Sequence, residues 1–241
     1  MALPFLPPAS LDSSFTISCP TEADIDALSE VYFDSFMTDP GNTYWWSPDR
    51  DAMSEWLRTR IRKKMADRNV RHFQIVNQKE REVVAFARWD VPEGYEAQFG
   101  EWVGSDDATE NGAEEAEPAT AKTMAGPRGS NPELCQKFFA LLSGLSKKWN
   151  AERMLGLSLL CTAPKYHRRG AAKALLTPML ALADAAGLRS YLEATPGGRP
   201  VYEKLGFRAV EVKEFDLDVL TGGKMKGCYK LSIMIREPQA L

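Results

Sequence analysis

The sequence predicts an α/β protein built on one mixed sheet with helices on both faces. Three observations predict it. Runs with helical apolar spacing and short β-rich runs follow one another in the order β-α-α-β-β-α-β-α-β-α-β-β, interrupted once by an acidic stretch. Two β-rich runs, His72–Asn77 and Glu82–Val91, are separated only by the polar turn Gln78-Lys79-Glu80-Arg81, as in an antiparallel hairpin. An apolar run, Leu155–Leu160, passes through a short polar turn into an alanine- and leucine-rich helix and on to another strand, Ser190–Ala194.

At 241 residues the chain suits one substantial domain. A net charge of −3 argues against a general nucleic-acid binder. No apolar run approaches the roughly 20 residues that cross a bilayer, so no membrane segment is expected. The start, MALPFLPPASLDSS, has no basic region and is broken by Pro4, Pro7 and Pro8, unlike a signal peptide. Cys19, Cys135, Cys161 and Cys228 are widely spaced and fit reduced thiols in a cytoplasmic protein. With His72 and His167 the only histidines, no metal centre is expected.

Residues 1–14 read as a flexible Pro/Ser leader, and residues 15–241 as the single domain. Phe15–Cys19 alternates as a strand. Thr21 is placed to cap a helix with Glu22 and Asp24 in its first turn, and Ile25, Leu28, Val31, Tyr32 and Phe36 lie on its inner face. Thr38–Pro48 is a turn-rich loop carrying Tyr44, Trp45 and Trp46. These aromatics either plug the core edge or wall a pocket. A second helix, from about Pro48 to Arg68, buries Met53, Trp56, Leu57, Ile61 and Met65. After the hairpin, Glu101–Ala121 carries seven acidic residues with no Lys or Arg. Such a segment cannot offset its ordering entropy, so residues 104–130 read as a disordered insertion. Pro132–Asn150 is an amphipathic helix with Leu134, Phe138, Leu141, Leu142, Leu145 and Trp149 inward. The last strands, Ala209–Asp218 and Cys228–Glu237, flank the turn Thr221-Gly222-Gly223.

The chemistry concentrates between Leu155 and Gly206. Gly170, flanked by Ala171 and Ala172, lets the backbone turn tightly where a helix begins. The amide groups and dipole of a helix start favour an anion, and Lys165, His167, Arg168, Arg169 and Lys173 add positive charge. A plain strand-to-helix connection with surface basic residues explains the same letters. Neither G-x-x-x-x-G-K-[ST] nor G-x-G-x-x-G is present.

His167-Arg168-Arg169-Gly170-Ala171-Ala172 resembles the Q/R-x-x-G-x-G/A signature of the GNAT superfamily of acetyl-CoA-dependent N-acetyltransferases, with His167 replacing the usual Gln or Arg. Tyr191–Phe207 (YLEATPGGRPVYEKLGF) resembles the family's strand and Tyr-bearing helix, and FTISCPTEADIDALSEVYFDSF its first strand and helix. The resemblance covers most of the chain and is closest to compact single-domain members common in filamentous fungi.

The resemblance implies a GNAT-like acyltransferase fold in which two parallel strands splay apart around acetyl-CoA, the co-substrate, with no metal. Leu160, Cys161 and Thr162 would bond the pantetheine arm. The turn from His167 through Arg168, Arg169, Gly170, Ala171 and Ala172 to Lys173 would hold the pyrophosphate. An amine would attack the thioester directly, through a tetrahedral intermediate. Tyr202 would donate to the departing sulfur. Glu193 or Asp90 would serve as base, unless Glu193 is a structural partner of Arg199 or Lys204. Cys161 reads as packing rather than a nucleophile. Phe36, Tyr44, Trp45 and Trp89 are the candidate acceptor-binding residues. The expected acceptor is a small-molecule amine, with a protein amine as the other option, and the chain is expected as monomer or homodimer. A second reading keeps the fold as an inactive acyl-CoA-binding or regulatory module, and a third makes the acidic insertion an interaction segment. Asp34, Asp39, Glu93 and Glu96 could attract a cationic acceptor or simply be solvated.

Overall fold

The structure is a computed structural model that describes residues 3–39, 46–100, 102 and 126–240. The strands are β1 (Phe15–Ser18), β2 (Val70–Asn77), β3 (Glu82–Asp90), β4 (Leu155–Thr162), β5 (Ser190–Ala194), β6 (Arg208–Asp216) and β7 (Cys228–Arg236). The helices are α1 (Ile25–Phe36), α2 (Arg50–Met65), α3 (Pro132–Lys148), α4 (Ala171–Ala185), α5 (Arg199–Glu203) and α6 (Leu217–Thr221). The strands form one seven-stranded sheet in the order β1-β2-β3-β4-β5-β7-β6. Only β4 and β5 run parallel; the other pairs are antiparallel. This is the mixed sheet that the sequence predicts, with helices on both faces.

Local chemistry fixes the helix starts. The Asp24 carboxylate accepts from the Thr21 amide at 2.7 Å and its hydroxyl at 2.9 Å. One 3-10 turn, Glu22–Asp24, then leads into α1. Asp49 accepts from the amides of Asp51 and Ala52 and starts α2. Asn131 caps α3 with Pro132 in its first turn, where a missing N–H costs nothing. Asp216 ends β6 by accepting from the amides of Asp218 and Val219. That cap turns the segment expected as one strand to Asp218 into a strand followed by α6.

Alternation along the strands sorts the faces. On one face α1 packs on β3, β4 and α2. Phe33, Trp46, Met53, Leu57 and Cys135 form a cluster that joins α1 and α2 to α3. Leu145 of α3 reaches Tyr191, Ile233 and Ile235. On the other face α4 packs on β2, β3 and β4. Helix α3 sits shallower than its spacing suggests: only Cys135 and Leu145 are buried, and Leu134, Phe138, Leu141 and Leu142 are half-buried.

The leader behaves differently from the flexible segment expected. Leu3, Phe5 and Leu11 pack on the core, and Phe5 meets Phe73 of β2 edge to face at 5.0 Å. Composition hides this, because the contacts depend on where the β2 face lies. Most of the acidic insertion (104–125) lies outside the described residues. Its last five, Gly126–Ser130, form a turn that feeds the Asn131 cap.

Candidate active site

The parallel pair positions the site. Strands β4 and β5 match at only three positions, Leu155–Ser190, Gly156–Tyr191 and Leu157–Leu192. From Ser158 to Thr162, β4 has no partner in β5, while β3 stays paired along it to Thr162. The parting begins at a bulge: Trp89 opposes Leu157, Arg88 opposes Leu159, and Ser158 is the extra residue. Arg88 pins the bulge through Nε to Ser158 Oγ at 2.9 Å and Nη2 to the Ser158 carbonyl at 3.4 Å.

The turn before α4 lies at the end of β4. Arg168 and Gly170 both have left-handed backbone, φ 63° and 82°. Residues 167–170 are exposed. The first amides of α4 have no partner within the helix by construction and point to this turn. The basic residues are more committed than their sequence suggests. Lys165 pairs with Glu82, and with Glu80 at 3.8 Å. Arg169 bonds Asp12 of the leader at 2.8 Å and lies over the rings of Phe15 and Tyr166. Asp12 is lowered to about 2, first by bonds from Ser14 and then by Arg169. The His167 ring meets the Thr162 carbonyl at 2.9 Å, tying the turn back to β4. Arg168 and Lys173 are exposed beside the helix start.

Tyr202 stands on α5, beyond the end of β5, with its ring edge-on to Phe207 at 6.0 Å. Pro200 in the first turn and left-handed Gly206 beyond the end bound this short helix. Burial pushes the Tyr202 hydroxyl up, and Cys161 adds to the rise. Cys161 is buried and its thiol is pushed well up by that burial, which makes it a poor nucleophile.

The two carboxylates come together from different strands. Glu193 accepts a bond from the Tyr191 hydroxyl at 2.7 Å. Its pKa is raised, first by burial and further by Asp90. Of the expected alternative partners, Arg199 bonds Glu203 at 2.7 Å and Ser232 at 3.3 Å instead. Asp90 is half-exposed, 3.7 Å from Lys64. It opposes Gly156, which opposes Tyr191, so Asp90, Tyr191 and Glu193 share one face.

The same face holds residues that motif reading missed. Tyr32 stacks on Phe36 at 4.5 Å and is pushed up to about 12, chiefly by burial. Arg60 reaches in from α2 over Trp56 (4.5 Å) and Phe139 (5.2 Å), and Arg88 from β3. Burial lowers Arg60, and Arg88 repels it. The signal lay in V-V-A-F-A-R-W-D, an apolar strand carrying Arg88 and Asp90 two residues apart.

The candidate acceptor residues separate. Phe36 is half-buried on α1, stacked on Tyr32 and packed against the main core. Trp89 alternates to the opposite face from Asp90, is fully buried, and among the described residues its indole N–H has no hydrogen-bond partner. Tyr44 and Trp45 lie outside the described residues. Their neighbour Trp46 is buried against Trp56 and Phe139, so it plugs the core. Among the described residues no cluster of His, Cys, Asp and Glu could hold a metal ion, and no helix is long and apolar enough to cross a membrane.

Comparison with known proteins converges on this region. Residues 145–226 match the model of the acetyltransferase (GNAT) domain. No curated protein matches the sequence. Many solved structures match, three of which illustrate the shared fold. Arylalkylamine N-acetyltransferase 2 from Aedes aegypti has a TM-score of 0.58 at 14% identity, covering 94% of this chain and 100% of that one. The histone acetyltransferase HPA2 and related acetyltransferase from Corynebacterium glutamicum gives 0.52 at 20%, covering 95% and 98%. The ribosomal-protein-S18-alanine N-acetyltransferase from Escherichia coli gives 0.51 at 15%, covering 94% and 96%. At such identities the likeness is one of fold. The sequence of residues 145–226 is thus similar to a GNAT acetyltransferase domain, and the fold of the whole sheet is the one these structures share.

Proposed function

We propose that the chain transfers an acetyl group from acetyl-CoA to an amine. The observation that carries this reading is the parallel pair that parts after three residues beside a glycine-turned helix start. An open strand edge accepts an extended amide-bearing chain as an added strand, and the pantetheine arm is such a chain. Leu160, Cys161 and Thr162 offer that edge. The amides from Arg168 to Lys173, including Gly170, Ala171 and Ala172, suit the pyrophosphate, with Arg168 and Lys173 supplying charge. His167 serves this site by holding the turn to Thr162.

The amine attacks the thioester carbon. A primary amine with pKa near ~10 is mostly protonated at pH 7 and must lose a proton. Glu193 takes that proton, directly or through water, with Asp90 beside it; a raised pKa makes it a better base than an ordinary carboxylate. The tetrahedral intermediate then expels the CoA thiolate. Tyr202 donates a hydrogen bond to that sulfur. Full proton transfer is uphill even for an ordinary phenol near ~10 against a thiol near ~8.5, and the upward shift of Tyr202 steepens it. Hydrogen-bond donation is therefore the role that fits.

The names of the fold neighbours include an arylalkylamine, a histone and a ribosomal-protein alanine as acceptors, so the fold alone selects none. Release of free thiol from acetyl-CoA in the presence of a panel of amines tests the reading. Release that depends on the amine is expected. Tight CoA binding with no release from any amine would overturn it in favour of a binding module.

A further inference from the structure

We infer that the leader is a working part of the cofactor site: Asp12, by holding Arg169, fixes the turn whose amides face the pyrophosphate. Asp12 is a positioning residue and acts through Arg169. The inference rests on the coenzyme A reading of that turn.

Packing around the turn does little to hold it. Residues 167–170 are exposed, and a Cβ at Gly170 would meet nothing within 4 Å. Arg168 nevertheless keeps a left-handed backbone at φ 63°, a conformation that costs energy for a residue with a side chain. Such a conformation persists only where the surrounding structure over-determines it. The residues on either side of Arg168 are the ones tied down. On one side the His167 ring meets the Thr162 carbonyl at 2.9 Å. On the other, Arg169 Nη2 donates to Asp12 Oδ2 at 2.8 Å, and the guanidinium lies over the rings of Phe15 at 4.8 Å and Tyr166 at 5.5 Å.

Asp12 is presented to Arg169 in a fixed orientation. Its Oδ1 accepts from the Ser14 amide at 2.9 Å and the Ser14 hydroxyl at 2.7 Å, which leaves Oδ2 for the arginine. Its carbonyl accepts from the Phe15 amide at 2.8 Å, at the first residue of β1. Leu11, just before it, packs on the core, as do Leu3 and Phe5. The two rings under the guanidinium, Phe15 and Tyr166, meet edge to face at 5.8 Å. Arg169 is thus held by an anion and an aromatic platform, and its charge is spent on the leader. Arg168 and Lys173, both exposed beside the helix start, are left to meet the phosphates.

An ion pair this exposed contributes little to global stability. Its effect here is local, because it sets the shape of a turn, and so it should be read in the ligand.

Asp12→Asn tests the inference. The amide keeps an oxygen for Ser14 and sets an NH2 group, which cannot accept, against Arg169. Charge alone predicts tighter CoA binding in this variant, since it frees a cation beside the phosphates; positioning predicts weaker binding. Calorimetry should show CoA affinity at least ~3-fold lower, the scale of one surface ion pair. Thiol release should show a matching rise in KM for acetyl-CoA, with kcat within about twofold of the parent. Asp12→Asn added to Arg169→Ala should lower the affinity no further, because Asp12 acts only through Arg169. Affinity unchanged or raised in Asp12→Asn, or losses that multiply in the double variant, would overturn the inference and leave the coenzyme A reading standing. Should the parent bind no CoA, that reading falls and hydrogen exchange decides the inference. Faster exchange of the amides from 168 to 173 in Asp12→Asn supports the leader's hold on the turn; unchanged exchange overturns it.

Discussion

The hydroxyl of Tyr191 donates to Glu193 across 2.7 Å, two residues along one face of β5. The bond stabilises the carboxylate, yet burial outweighs it and Asp90 adds repulsion, so the Glu193 pKa stands above its ordinary value. The folded protein therefore holds this proton more tightly than the unfolded chain. Stability contributed by the protonated form is fully present below the unfolded pKa, about 4.3, and is lost as pH rises through the folded one. Glu193→Gln, which still accepts from Tyr191, should melt higher than the parent at pH 8 and alongside it at pH 4. Its thiol release should fall by at least ~10². Melting curves at both pH values and one rate assay check this; an unchanged rate would remove Glu193 from the chemistry.

Tyr202→Phe keeps the buried ring and its contact with Phe207. Turnover should fall ~10-fold or more, the scale of a lost hydrogen bond to a developing charge, with CoA affinity within twofold. Equal losses in binding and turnover would make Tyr202 a wall of the CoA site instead.

Gly170→Ala adds a side chain where there is space, since nothing lies within 4 Å of a Cβ there. The penalty comes from the backbone at φ 82°. A left-handed residue with a Cβ costs about 1–2 kcal/mol, and relief of that strain would reposition the amides of the turn. We expect a lower melting temperature together with weaker CoA binding. A stable variant with normal CoA affinity would show that the turn conformation does not matter.

Arg236 on β7 grips Asp184 on α4 through two bonds, 2.5 and 2.7 Å, and its Nε donates to the Leu205 carbonyl at 2.9 Å. Both side chains are nearly sealed from water, so removing one strands the other. Arg236→Met should cost about 3–5 kcal/mol, read by denaturant titration. Arg236→Met with Asp184→Leu should recover much of it, because the buried charge is then gone from both sides.

What could be read from the letters alone follows from how local each feature is. The β-α order, the Gly170 turn and the Tyr202 helix are written in contiguous residues, and the structure has them where expected. Arg88, Arg60 and Tyr32 lie on three separate elements, and only the pairing of β3 with β4 and the docking of α1 and α2 bring them together. Trp89 failed for the simplest reason: it is one residue from Asp90, and one residue along a strand is the other side of the sheet. The leader contacts Asp12–Arg169 and Phe5–Phe73 span many residues, and a proline-rich composition carries no trace of them.

Beyond Leu157, the partless side of β4 leaves a row of peptide groups facing a gap in the middle of the sheet instead of at its rim. A molecule that fills the gap supplies hydrogen bonds that folding alone left unmade, and it does so only in the native state. At a concentration 100 times its dissociation constant such a molecule adds about 2.7 kcal/mol, a large share of a typical domain's margin. The lifetime of this protein should then follow the supply of whatever occupies that slot, with no change in its synthesis.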